Sequence, residues 1–237
     1  MPGDQKSIAK PAESQILPQQ WLLLVALASA LGLLLGAGMI ILSLLSVSAY
    51  PSSPIVRGRD PAGMERRSLG SPSAPVVITE WSDFQCPACA RFATTREPVL
   101  ERLYVDSGKV RFVHRNEAFL GPESFLAAEA ADCAGDQGRF WDYRTLLFQR
   151  QRGENSGAFS AQNLKGFAAE LGLDRESFAA CLDGGKYRAA IQAEAKEGDQ
   201  LGVDSTPSFF INGKPIKGIP TIEQMQKLIE EELAKKP

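Results

Sequence analysis

Two kinds of hydrophobic pattern follow one another along the chain. From Trp21 to Tyr50, Leu, Ala, Val, Ile, Gly and Ser run on without a single charge. About 20 apolar residues suffice to cross a ~30 Å hydrocarbon core. Trp21 and Tyr50 stand where interfacial aromatics gather. The run predicts a transmembrane anchor over 21–50, after a polar tail over 1–20. A cleavable signal peptide is the other reading, with Val47-Ser48-Ala49 as its cleavage site, but its apolar stretch would span only about 7–15 residues. Gly32 and Gly36 form a GxxxG that would let two such helices pair. Residues 51–75, rich in Pro, Gly, Ser and Arg, read as a linker.

Beyond the linker the pattern is that of a folded domain over 76–237. Val76–Asp83 is β-branched and aromatic, a buried strand. Phe92, Val99, Leu100, Leu103 and Tyr104 then recur at helical spacing, with Pro98 set to kink the helix. Val110–Arg115 is a second strand. Residues 122–201 read as almost all helix, broken by Gly and Asp-Gly. Within this block Phe140 and Trp141 read as core. Ser208–Lys217 is a hairpin turning at Asn212-Gly213. A last helix starts at Thr221, where Gln224 completes a capping box. The order β-α-β, helical block, β-β-α predicts an α/β domain with a helical insertion at about 122–201.

Composition narrows the chemistry. A net charge of -2 gives no nucleic-acid footprint. One His, His114, excludes a His-rich metal site, and its place on a strand makes it a packing residue rather than a catalytic one. Four Cys are too few for a disulfide-built miniprotein, but they allow pairing. Charge also bears on orientation. Lys6 and Lys10 precede the anchor and Arg57, Arg59, Arg66 and Arg67 follow it, which by positive-inside counting leaves the domain in the cytoplasm. The cysteines argue for the opposite side.

Cys86 and Cys89 form a C-x-x-C between a strand and a helix start. Unpaired N–H groups and the positive end of the dipole lower the pKa of a thiol there. Pro87 suits the first helical position because its missing N–H costs nothing. Zinc would need a second close pair or more His. A structural bridge across two residues would close too small a loop to stabilise much. A redox dithiol is the remaining reading. Cys133 and Cys181, both on expected helices, are either two buried free thiols or a structural disulfide. Such a bridge would be worth about 4 kcal/mol by loop closure and would persist only in an oxidising compartment.

Trp81–Cys89, the helical block and Gly202–Gly213 together resemble DsbA-like thiol-disulfide oxidoreductases, and most nearly the membrane-anchored type of Gram-positive and related bacteria. The resemblance covers about 66–237. It implies a thioredoxin-like fold with an inserted helical domain, preceded here by the single N-terminal transmembrane helix. It implies that Cys86 is the attacked sulfur and Cys89 the resolving one. It also implies that Pro207 is cis, that its loop lies against the C-x-x-C, and that Thr206 binds substrate backbone. Glu80 stands where thioredoxin-fold proteins often carry a buried acid; it is a proton-transfer group for Cys89 or an ordinary exposed strand residue. Ala88 replaces the polar residue many members carry, which leaves the helix terminus and backbone amides to stabilise the Cys86 thiolate.

The implied activity is an extracytoplasmic oxidase that introduces disulfides into secreted or membrane polypeptides. It needs no metal or organic cofactor. Reoxidation would come from a membrane quinone reductase of the DsbB or vitamin-K-epoxide-reductase type. The N-terminus would lie in the cytoplasm. The alternatives are a reductase or isomerase on the same fold, or a non-enzymatic chaperone or binding domain.

Overall fold

The computed structural model describes residues 65–235. The tail over 1–20 and the anchor expected over 21–50 lie outside the described residues. Among those described, no helix is long and apolar enough to cross a membrane.

Five strands make one sheet: β1 (Ser68–Leu69), β2 (Val76–Ser82), β3 (Val110–Asn116), β4 (Ser208–Ile211) and β5 (Lys214–Ile216). Their order is β1-β3-β2-β4-β5. β2 and β3 run parallel, with Glu80 opposite His114. β4 is antiparallel to β2, with Phe209 opposite Glu80. Asn212 and Gly213 both take positive φ, 48° and 78°, and close the β4–β5 hairpin. That conformation is easy for Gly and tolerated by Asn.

Of the segment expected as linker, 51–75, the described part from Glu65 on contributes to this sheet. Ser68 and Leu69 pair with Val113 and Phe112. The physical reason is the arginine before them. Arg67 is buried and meets Asp132 through Nε and Nη2 at 2.7 and 2.8 Å, and Glu194 through Nη1 at 2.6 Å. A charge so held ties the chain to the domain. Arg66 also pairs with Asp136 at 2.6 Å.

The crossover between β2 and β3 divides into α1 (Pro87–Thr95), α2 (Glu97–Leu100) and a π-helical turn over Glu101–Val105. The break falls at Arg96, because Pro98 has no N–H to give the Thr94 carbonyl and its ring crowds that carbonyl. The wide turn shifts the helical phase. Tyr104 and Val105 stay inside, while Leu103, expected in the apolar stripe, is 45% exposed.

Between β3 and β4 come α3 (Pro122–Gly135), α4 (Phe140–Gln149), α5 (Ala161–Glu170), α6 (Arg175–Asp183) and α7 (Arg188–Gln200). Ala127, Ala130, Ala131 and Ala134 make α3 a strong helix former with a small buried face. Ser160 and Asp174 cap α5 and α6 with their side chains. Cys133 of α3 and Cys181 of α6 are joined by a disulfide, with their Cα atoms 5.9 Å apart. The chain ends in α8 (Ile222–Leu233), begun by the reciprocal Thr221–Gln224 box.

Alternation along β2 sorts its side chains between two faces. Ile78 packs with Phe92, Phe112, Phe209, Met225 and Ile229 under α1 and α8. Trp81 packs on the other face with Val203 and Phe210. Glu80 and Ser82 share the Ile78 face, so this register places an acid and a hydroxyl beneath the helix that carries the C-x-x-C.

Candidate active site

Cys86 is the N-cap of α1, and Pro87 follows in the first turn. Strand β2 delivers it through a short turn organised by Asp83. Asp83 Oδ1 accepts from the Gln85 amide at 2.7 Å and from Ser124 Oγ at 2.7 Å. Its Oδ2 accepts from the amides of Phe119 and Leu120 at 3.0 and 3.1 Å. Gln151 Nε2, from the loop after α4, donates to the Cys86 carbonyl at 3.1 Å. The helical insertion thus clamps the loop that holds the reactive sulfur.

The two thiols differ in environment. Cys86 is lowered to about 6. The largest cause is a hydrogen bond from the Cys89 thiol, opposed by burial and aided by the Thr206 hydroxyl and the Cys89 and Ala88 amides. The expectation that the helix terminus and backbone amides alone would stabilise this thiolate is therefore corrected. With Ala88 mute, two side-chain donors join the backbone. Cys89 is fully buried and its thiol is pushed well up, first by burial, then by its bond to Cys86 and by the charge of Glu80. Both are free thiols here.

The Thr206–Pro207 peptide is cis, and the Thr206 carbonyl accepts from Cys86 Sγ at 3.2 Å. A groove of about 320 Å³ continues from this loop, lined by Val203, Pro207, Phe209, Phe210 and Ile216 among others. Asp204, Ser205, Thr206, Ser208 and Lys217 line it as well, so the groove is mixed in polarity, and Thr206 joins it to the Cys86 sulfur.

Glu80 is fully buried rather than exposed. Its Oε2 accepts from Arg144 Nη2 at 2.6 Å, and Oε1 is in no hydrogen bond. Burial raises its pKa, with Arg144 opposing. His114, beside it on β3, is buried and takes no part at the sulfur. Its Nδ1 accepts from Arg144 Nε at 3.2 Å, and Nε2 faces Asn116 Oδ1 at 3.2 Å. Burial and the charges of Arg144 and Arg67 hold it neutral. From Glu97 the polar chain runs through Arg144, His114, Asn116 and Glu194 to Arg67.

Sequence reasoning missed Arg144, Glu97, Asp83, Ser82 and Gln151. Two left signals. Arg144 lies in the apolar stripe of α4 with Phe140, Tyr143 and Leu147, and a charge in such a stripe needs a partner. Asp83 ends a strand before a turn, where its side chain can bind the amide two residues on. Ser82, Glu97 and Gln151 carried no such mark. Among the described residues no group of His, Cys, Asp and Glu is arranged to hold a metal ion.

A thioredoxin family model matches residues 63–231. A probable disulfide bond formation protein D of Bacillus anthracis is 30% identical over 174 residues, covering 72% of this chain and 79% of that one. An Na(+)/H(+) antiporter NhaA 1 of Salinispora arenicola is 33% identical over 162 residues, 68% of this chain; the chain spans only 24% of that relative's length. Among solved structures, oxidised BdbD from Bacillus subtilis superposes with a TM-score of 0.67 at 26% identity, covering 71% of this chain and 92% of that one. Family match, fold and a strand-end C-x-x-C facing a cis-proline loop agree, and the chain belongs to the thioredoxin family as a DsbA-like thiol-disulfide oxidoreductase.

Proposed function

We propose that the domain is an extracytoplasmic oxidase that introduces disulfides into secreted or membrane polypeptides. The observation that carries this reading is the unequal pair: Cys86 lowered to about 6 and set against the cis-proline loop, Cys89 fully buried and raised. A sulfur stabilised as thiolate is the better leaving group, and a stabilised reduced form makes an oxidant.

In the cycle a substrate thiolate attacks Cys86 Sγ of the Cys86–Cys89 disulfide. The Cys89 sulfur leaves with the electron pair and takes a proton from Glu80. A second substrate thiolate then attacks the substrate sulfur of the mixed disulfide, and Cys86 leaves as thiolate. The substrate is oxidised by two electrons and the enzyme is left as the dithiol. Thr206 and Pro207 would hold substrate backbone along the groove. Pro87 and Ala88 set the helix start without adding charge.

Reoxidation would come from a membrane quinone reductase of the DsbB or vitamin-K-epoxide-reductase type. The apolar run over 21–50 would anchor the enzyme beside it, N-terminus inside and domain outside. The Cys133–Cys181 disulfide favours that side, since such bridges persist in oxidising compartments. The arginines after the run count against it.

The test is the potential of the Cys86/Cys89 couple, with oxidation of a reduced test protein measured in wild type and Cys86→Ser. An oxidase reads nearer -120 mV than the roughly -270 mV of thioredoxin, and Cys86→Ser abolishes the reaction. A value near -270 mV sinks the oxidase direction. Unchanged activity in Cys86→Ser sinks the enzyme reading.

A further inference from the structure

Of the buried acids that the cycle does not use, Glu97 is the one that shares Arg144 with Glu80. Glu97, in the first turn of α2, is 6% exposed. Arg144 Nη1 and Nη2 donate to its two oxygens at 2.8 and 2.7 Å, and the same Nη2 donates to Glu80 at 2.6 Å. One guanidinium nitrogen therefore stands between two carboxyl groups from different elements. With both ionised the buried set carries one net negative charge; with one proton held between them it is neutral. A medium of low dielectric favours the second state. The Trp141 and Phe148 rings flank the guanidinium, each 4.9 Å away.

The other groups facing this set are few. From β3, neutral His114 accepts from Arg144, with Arg67 beyond it. From the π-helical turn, Glu101 repels Glu97 and is itself raised, mainly by burial. From α1 comes Cys89. Ser82 lies on the same face of β2 as Glu80, two residues on. Ser82 Oγ and Glu80 Oε1 are both buried, and neither is in a formed hydrogen bond. The hydroxyl faces both the carboxyl and the Cys89 sulfur.

We propose that Glu80 and Glu97 act across Arg144 as one proton-holding pair, coupled to Cys89 through the Ser82 hydroxyl. The proposal rests on the proton role given above to Glu80. When Cys89 resolves a mixed disulfide at Cys86, its thiol proton passes to Ser82 Oγ while the Ser82 proton passes to Glu80 Oε1. The Cys89 sulfur bonds to Cys86, and the departing thiolate carries off the electron pair. Glu97 is a positioning residue. It draws on donors that Glu80 would otherwise keep, and its charge makes Glu80 a stronger base. Burial lifts Glu97 itself to about 7, so the pair takes up its proton in the neutral range.

The experiment uses the full chain carrying a mixed disulfide of Cys86 with thionitrobenzoate. Release of the coloured thiolate reports attack by Cys89, followed against pH. In wild type the rate rises through a limb centred near 7. Glu80→Gln removes the limb. Glu97→Gln moves it down by about one unit or more, because Glu80 then has Arg144 to itself. Glu97→Asp restores it in part. Ser82→Ala slows the plateau by about tenfold or more without moving the limb.

A Glu97→Gln profile that superposes on wild type, while Glu80→Gln does not, overturns the pair and leaves the Glu80 role standing. If Glu80→Gln also superposes, the role of Glu80 itself fails. An unchanged plateau in Ser82→Ala overturns the relay. Should Glu97→Gln not fold, the infrared band of a protonated carboxyl in the wild-type protein decides: it must titrate near neutral pH and grow as Cys89 resolves the mixed disulfide. A band that does neither overturns the proposal.

Discussion

Cys86 Sγ lies 3.2 Å from the main-chain oxygen of Thr206, and the Thr206 hydroxyl, buried and otherwise without a partner, faces the same sulfur. The carbonyl can accept from the thiol and the hydroxyl can donate to the thiolate, so one residue serves both protonation states. Thr206→Val keeps the shape and the carbonyl but removes the donor. The Cys86 pKa should rise from about 6 by about one unit, and the couple should become more reducing. Alkylation rate against pH gives the midpoint directly; one that stays at 6 refutes the role of the hydroxyl.

The same thiolate makes the stability of the reduced enzyme depend on pH. Its folded pKa, about 6, lies below the ~8.5 of a free thiol. The stabilisation is therefore complete above about 8.5 and is lost as pH falls through 6. The oxidised form has no such thiolate. Urea unfolding of both forms should show the reduced form gaining on the oxidised one between pH 6 and 8, with little change from this source below 6. Parallel curves across that window would mean that the thiolate is not stabilised in the fold.

Much of this was legible in the chain. Cys86 and Cys89 announce themselves by spacing, and β2, β3 and the β4–β5 hairpin by β-branched runs and the Asn212-Gly213 turn. These are local signals. What escaped depends on contacts between distant segments. Arg67 reads as a linker charge until Asp132 and Glu194, 65 and 127 residues away, are brought against it. His114 reads as a bland strand residue until Arg144 reaches it from the insertion. Leu103 reads as core because a π-helical turn cannot be told from an α-helical one by hydrophobic period alone.

The Cys133–Cys181 bridge tests the division of labour between the two cysteine pairs. It closes a separation of 48 residues between α3 and α6, on the helical insertion. Loop-closure entropy assigns it about 4 kcal/mol, and measured effects run about 2–5 kcal/mol. Cys133→Ala with Cys181→Ala should lower unfolding stability by that amount under oxidising conditions, with the potential of the Cys86/Cys89 couple unchanged. A shift in that potential would show that the bridge acts on the reactive pair as well as on the fold.

Arg144 offers the strongest test of the buried network. It is 1% exposed and is the shared counter-charge of two carboxyl groups, Glu80 and Glu97. Arg144→Met fills much the same volume but leaves both acids buried without a counter-charge, a loss of about 3–5 kcal/mol near neutral pH. The acids' folded pKa values then rise further above their ordinary values near 4.5. The native state holds protons that the unfolded chain releases, so stability is lost as pH climbs above about 4.5 and is recovered below it. Chemical denaturation of Arg144→Met should therefore show a small deficit at pH 4 and a large one at pH 8. Adding Glu80→Gln and Glu97→Gln to Arg144→Met removes the charges and should recover most of the loss at pH 8. A deficit that is flat with pH, or that the added substitutions do not reduce, would mean that Arg144 stabilises by packing between Trp141 and Phe148 rather than by its charge.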